Sequence, residues 1–137
     1  MSSDPLSSVL EAVRLRGAVF FLVDAHAPWA AEAPHVDELA DVVLPGSQHV
    51  IEWHVVARGE CWGGIVGEPL VKLVAGDVIA FPHGDAHTLA SQPGLRNPPD
   101  VAAMRSVVGE RLPFRFVQGV DRGGETAQIV CGFLGCD

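Results

Sequence analysis

The stretch GDVIAFPHGDAH, residues Gly76–His87, decides the fold. Gly76-Asp77 is a turn dipeptide, and Val78–Phe81 forms a short apolar strand. Residues 82–85, PHGD, make a second turn, which predicts that the chain returns antiparallel with His87 just inside the next strand. The stretch therefore predicts turn, strand, turn and strand, which is typical of a protein built from many short strands.

Length and composition indicate one globular domain, residues 1–137. Of the 137 residues 48% are hydrophobic and 19% are charged, which suffices for one core without cross-links. Fifteen glycines and ten prolines favour short strands joined by turns. The formal net charge of −8 argues against direct nucleic-acid binding by this segment.

Neither a membrane segment nor a disulfide framework is expected. The apolar run Gly17–Val23 is too short to cross a bilayer and lacks a signal-peptide cleavage pattern, so we expect no membrane association and a cytoplasmic location. Cys61, Cys131 and Cys136 are odd in number and form no C-x-x-C pair, which predicts reduced thiols.

The remaining segments divide the chain into four parts. An Asp4-Pro5 start followed by apolar residues at helical spacing predicts a short helix within residues 1–17. Residues 18–91 hold the main strands, and residues 92–113 are predicted to be a surface loop with one helical turn. Residues 114–137 are predicted to form a closing hairpin.

The spacing of Gly76, Pro82, Gly84 and His87 resembles the second conserved motif of the cupin family of small β-barrels. The first cupin motif is incomplete, because the residues before Glu52 read PGSQ and lack the family's pair of histidines. The resemblance implies a mostly β fold, a cupin-type double-stranded β-barrel or jelly roll, to which the short N-terminal helix is added.

Over nearly its full length the chain also resembles the sensor half of AraC-type transcriptional regulators. The matching segments, in chain order, are Asp4–Ser7, Arg14–Ala18, Ala27–Trp29, Trp53–Val56, Gly59–Trp62, Gly76–His87 and Val130–Gly132. This resemblance implies an effector-sensing and dimerising domain in transcription regulation, a homodimer with a small-molecule or metal effector. The DNA-reading helix-turn-helix half would follow these residues.

Two other functions stay open. One is a free-standing metal-dependent cupin enzyme, similar to a dioxygenase or an isomerase; it ranks second because the paired histidines are missing and no side chain is clearly placed as a general base. The other is a structural barrel without a bound effector. No catalytic residue is assigned.

Three side chains, His54, His87 and Cys131, are candidate ligands of one divalent metal, with zinc favoured. Histidines on facing strands and a thiolate on the last strand would leave one position of a tetrahedral metal open. The alternative is that the histidines are hydrogen-bonded groups at the barrel mouth and Cys131 is a small buried hydrophobe. Glu52 shares strand parity with His54, although an exposed side chain is the more common outcome for a glutamate.

Overall fold

The structure is a computed structural model that describes Pro5, residues 16–107 and residues 113–136. Its strands are β1 Arg16–His26, β2 Ala30–Ala33, β3 His49–Arg58, β4 Glu60–Ile65, β5 Val71–Val74, β6 Val78–Phe81, β7 His87–Ala90, β8 Phe114–Gln118 and β9 Thr126–Cys136. Its helices are a 3₁₀ turn at Val36–Glu38, α1 at Ala40–Val43 and α2 at Val101–Val107. The helix predicted within residues 1–17 lies mostly outside the described residues, and β1 already begins at Arg16.

The strands form two sheets that share one hydrophobic core. One sheet has the order β6-β3-β9-β1-β8 and the other has the order β2-β7-β4-β5. The core takes side chains from both sheets, among them Val56 and Phe133 of the first and Cys61 and Leu89 of the second. Two mainly antiparallel sheets packed in this way confirm the predicted mostly β fold.

The decisive stretch carries the chain between the two sheets. β6 pairs with β3 in the first sheet, whereas β7 pairs with β2 and β4 in the second. The turn between β6 and β7 is therefore not the hairpin turn that the sequence predicted. It packs instead against the 3₁₀ turn, where the backbone N–H of Val36 donates to the carbonyl of Gly84 at 2.8 Å.

The predicted hairpin within residues 114–137 is also wrong in its pairing. β8 pairs parallel with β1, and β9 pairs antiparallel with β1 and β3, so β1 lies between the two predicted partners. The backbone at Gly119, directly after β8, approaches the carbonyl of His26 so closely that a Cβ there would lie 1.9 Å from that oxygen. This close approach to the end of β1 fixes β8 beside β1.

The segment between β7 and β8 contains α2, which confirms the predicted helical turn in residues 92–113. Two ion pairs hold it against the rest of the fold. Arg96 donates two hydrogen bonds to the buried carboxylate of Glu32, at 3.0 and 2.9 Å. Arg105 donates to both carboxylate oxygens of Asp41, at 2.7 and 3.0 Å. No helix in the described part of the chain is long and apolar enough to span a membrane.

Candidate metal centre

Glu52, His54 and His87 meet between the two sheets. Side chains alternate along β3, so Val50, Glu52, His54 and Val56 all point inward. His87 is the first residue of β7 and comes from the opposite sheet. The exposed fractions are 4% for Glu52, 6% for His54 and 1% for His87. The expectation of an exposed Glu52 is wrong, because Glu52 lies on the inward face of β3, between the two sheets.

The three side chains bring their ligand atoms within 4.8 Å of one another. His54 Nε2 lies 2.7 Å from His87 Nε2. Glu52 Oε2 lies 3.4 Å from His54 Nε2 and 3.3 Å from His87 Nε2. Metal–ligand distances of about 2.0–2.1 Å place neighbouring ligand atoms roughly 2.8–3.0 Å apart in octahedral sites and roughly 3.3–3.4 Å apart in tetrahedral sites. The group can therefore hold a metal once the two imidazoles separate by a few tenths of an ångström.

The backbone sets the orientation of His87. Its Nδ1 lies 2.8 Å from the carbonyl oxygen of Asp85, and because a carbonyl only accepts, Nδ1 carries the proton. Nε2 then presents a lone pair to the cluster. The ring also stacks on Phe81, with centroids 3.8 Å apart and planes at 11°. A histidine whose second nitrogen donates to a carbonyl is oriented as metal-binding histidines usually are.

Two polar atoms of the cluster lack a partner among the described residues. Glu52 Oε1 and His54 Nδ1 are buried and make no hydrogen bond there. An unpaired buried polar atom costs about 1–3 kcal/mol, so native proteins retain few of them, and those retained need an explanation. Glu52 Oε1 belongs to the same carboxylate as Oε2, which faces the two imidazole nitrogens, so a cation bound by this carboxylate would provide an explanation.

Glu52 is ionised and His54 is neutral at neutral pH. Burial raises the pKa of the Glu52 carboxyl, but hydrogen bonds with His54 and His87 and their charges outweigh it and bring that pKa from 4.5 to about 2. Burial lowers the pKa of His54 below its usual 6.5, against the attraction of Glu52. A carboxylate and an unprotonated imidazole are the states that bind metal ions.

The cluster borders a cavity of about 350 Å³. Its walls are mainly apolar: Phe21, Val23, Trp29, Leu89, Met104, Val107, Phe114, Phe116, Ile129 and Phe133. Asn97, Pro98 and Pro99, together with α2, form one side of it. A metal bound by two histidines and one carboxylate keeps coordination positions open, and these would face a small ligand in the cavity.

Cys131 lies beside the cluster and outside it. It is opposite His54 in the pairing of β9 with β3, it is buried, and it lines the same cavity. Burial, with the charges of Glu52 and Cys61, raises the pKa of its thiol well above the usual value. Of the three predicted ligands, the structure thus brings together His54 and His87, with Glu52 as their neighbour.

Sequence reasoning also missed the buried hydrogen bonds that hold one wall of the cavity in place. Glu32 lines the cavity, accepts from Arg96 and from the backbone N–H of Asn97, and is buried. The side chain of Asn97 donates to the carbonyl of Ala30 at 2.8 Å. These partners are more than sixty residues apart, and no local pattern connects them.

The family model described as Cupin matches residues 4–137. No curated protein matches the chain at a significant level.

The chain is similar to several solved structures at low identity. A transcriptional regulator of the HTH_3 family from Vibrio cholerae is 14% identical, with a TM-score of 0.37; the match covers 79% of this chain and 36% of that one. The Cnp3 cupin domain of Schizosaccharomyces pombe is 11% identical, with a TM-score of 0.44, over 90% of this chain and 62% of that one. The Cupin_2 domain of an XRE family transcriptional regulator from Enterobacter cloacae is 15% identical, with a TM-score of 0.42, over 93% and 86%. The chain thus spans less than two thirds of the length of the first two of these proteins.

Proposed function

Since the chain belongs to the cupin family, we propose that it binds one divalent metal through Glu52, His54 and His87 and senses a small ligand in the adjoining cavity. The observation that carries the proposal is the convergence of three ligand atoms within 4.8 Å of one another. The orphaned Glu52 Oε1 and the backbone-oriented His87 support it independently.

Zinc is the proposed metal. Zinc binds two histidines and a glutamate in sites that keep a fourth position open. When bound, it supplies a positive charge and a Lewis acid to which a ligand oxygen can attach. The chain itself contributes the oriented Nε2 of His87, the charge of Glu52 and the apolar walls that exclude water.

The proposed sensor role rests on the resemblance to AraC-type regulators and on the cavity. The acidic groups among the described cavity residues outside the cluster already have partners. The Glu32 carboxylate is bonded to Arg96, and Asp100 Oδ1 accepts from the backbone N–H of Ala103 at 3.0 Å. The bidentate pairing with Arg96 leaves Glu32 poorly suited to act as a general base. The homodimer and the DNA-binding half of such a regulator belong to this proposal and are carried by the resemblance alone.

A metal-dependent cupin enzyme is the second candidate. Two histidines and one carboxylate with open positions are typical of non-haem Fe(II) oxygenases, and that ligand set is present here. Oxygen uptake by the Fe(II)-loaded protein with a candidate ligand would favour this function over sensing.

Elemental analysis of five proteins tests the metal site. We expect close to one equivalent of zinc in the wild type and a loss of most of it in Glu52→Gln and His87→Ala. His83→Ala is the matched control, because His83 is exposed in the turn just before His87. Cys131→Ser tests whether the third ligand, beside His54 and His87, is Glu52 or Cys131. Retained zinc supports Glu52, and lost zinc supports Cys131. Equal metal in all five proteins, or none in the wild type after incubation with zinc, would overturn the proposal.

A further inference from the structure

We infer that the cavity selects a small monoanion with an apolar body, such as a medium-chain monocarboxylate, whose oxygen head group binds the metal. The inference rests on the proposed metal site and adds the chemical class of its ligand. It comes from the charge of the site, the absence of Lys and Arg among the described cavity residues and the apolar character of the walls.

The metal centre would carry one net positive charge. A doubly charged cation, the single negative charge of Glu52 and two neutral imidazoles leave one positive charge uncompensated. His87 is neutral when its Nδ1 proton goes to Asp85 and its Nε2 lone pair goes to the metal. In a buried site such a charge favours one anionic ligand over a neutral one, and it repels a cation.

The described cavity walls supply no second positive charge. None of the described residues that line the cavity is Lys or Arg. Arg96 lies nearby, but its guanidinium is bonded to Glu32 and is largely exposed, with 62% of the side chain accessible. A second anionic group on the ligand would thus be buried among apolar side chains without a counter-charge, which is strongly unfavourable.

The walls fit an apolar body of limited size. The cavity of about 350 Å³ corresponds to roughly twelve waters of about 30 Å³ each, hence to a ligand on the order of ten non-hydrogen atoms. Phe116 lies 5.2 Å from Phe21 and 4.8 Å from Phe114, centroid to centroid, and forms an aromatic wall with them. Met104 of α2 lines the same cavity with an unbranched, adaptable side chain.

Ligands that share an eight-carbon chain and differ in their polar groups test the inference. Calorimetry of the zinc-loaded full chain with octanoate should give one binding site. Suberate, octanol and octylamine should each bind at least about tenfold more weakly, a difference of about 1.4 kcal/mol. Zinc-free protein should also bind octanoate at least about tenfold more weakly. Trp29, which is buried in the cavity wall, provides a second readout by fluorescence.

A charge placed in the wall tests the selectivity directly. Met104→Lys adds a cation to the cavity and should raise the affinity for suberate relative to octanoate. Ala102→Lys adds the same charge to an exposed position of α2 that does not line the cavity, and it should leave the ratio unchanged.

The outcomes separate this inference from the proposed function. Zinc uptake without octanoate binding overturns the inference and leaves the metal site standing. Equal binding of octanoate with and without zinc, or suberate binding as tightly as octanoate in the wild type, also overturns the inference. A chain that takes up no zinc overturns both.

Discussion

Replacing Gly84 by alanine tests whether contact with the 3₁₀ turn holds the turn that precedes His87. Gly84 has φ +69°, a left-handed conformation that costs an L-residue roughly 1–2 kcal/mol. An added Cβ would also lie 2.0 Å from Val36 Cγ1, and Val36 is only 4% exposed, so it has little room to move. Overpacking of this kind costs about 1–3 kcal/mol. We therefore expect Gly84→Ala to lower the free energy of unfolding by about 2–5 kcal/mol. This is a large share of the free energy of unfolding of a typical protein, which is about 5–15 kcal/mol.

Two further variants separate the backbone cost from the collision. Gly76 has φ +97° with nothing within 4 Å of an added Cβ, so Gly76→Ala should lose only the backbone cost of roughly 1–2 kcal/mol. Val36→Ala removes Cγ1, the atom closest to the Cβ added at position 84, and leaves the Val36 Cβ at 2.6 Å, so it relieves part of the collision. Val36→Ala should therefore lower the free energy of unfolding less in the Gly84→Ala background than in the wild type. We expect the two losses to differ by about 1–3 kcal/mol.

Urea unfolding followed by circular dichroism, in the presence of a chelator, measures all five proteins. The chelator matters because a bound metal would add its own stabilisation. An equal loss for Gly84→Ala and Gly76→Ala would refute the reasoning, and so would an unchanged cost of Val36→Ala in the two backgrounds. Either result would mean that the turn is not fixed by its contact with Val36.

Two further predictions concern the cavity wall and the thiols. The hydrogen bonds from Arg96 lower the pKa of Glu32 below 4.5, so the stability this pair provides is present above about pH 4.5 and is lost as the pH falls through the lowered pKa. Glu32→Gln should lower the free energy of unfolding at neutral pH by about 1–3 kcal/mol. Urea unfolding measured at a series of pH values should also show a smaller loss of stability at acidic pH in this variant than in the wild type. An unchanged pH dependence would contradict the pairing. Burial raises the pKa of Cys61 to about 11 and that of Cys131 well above its usual value, whereas Cys136 is partly exposed. In the folded protein we expect Cys136 alone to react quickly with an aromatic disulfide reagent, and rapid reaction of a second thiol would refute this.

Local chemistry predicted the elements of the decisive stretch and not their partners. The sequence placed a strand at Val78–Phe81 and His87 just inside the next strand; β6 has the predicted bounds, and β7 begins at His87. The turns were predictable because Gly76 and Gly84 both need positive φ, which glycine adopts without strain. The sheet that each strand joins depends on distant contacts, such as the one between residues 36 and 84, and turn residues carry no information about these.

The difference between Glu52 and Cys131 shows why a ligand set is harder to predict than a strand. Glu52 and His54 share a face by strand parity, and Cys131 lies opposite His54 on the neighbouring strand, so all three belong to one sheet. His87 comes from the other sheet, and the site exists only where side chains reach across the cavity. Glutamate and histidine are long enough to reach that point, whereas the sulfur of a cysteine lies one bond beyond its Cβ. Strand parity identified the face, but it could not show which residues of that face lie near His87, because that depends on how the two sheets pack against each other.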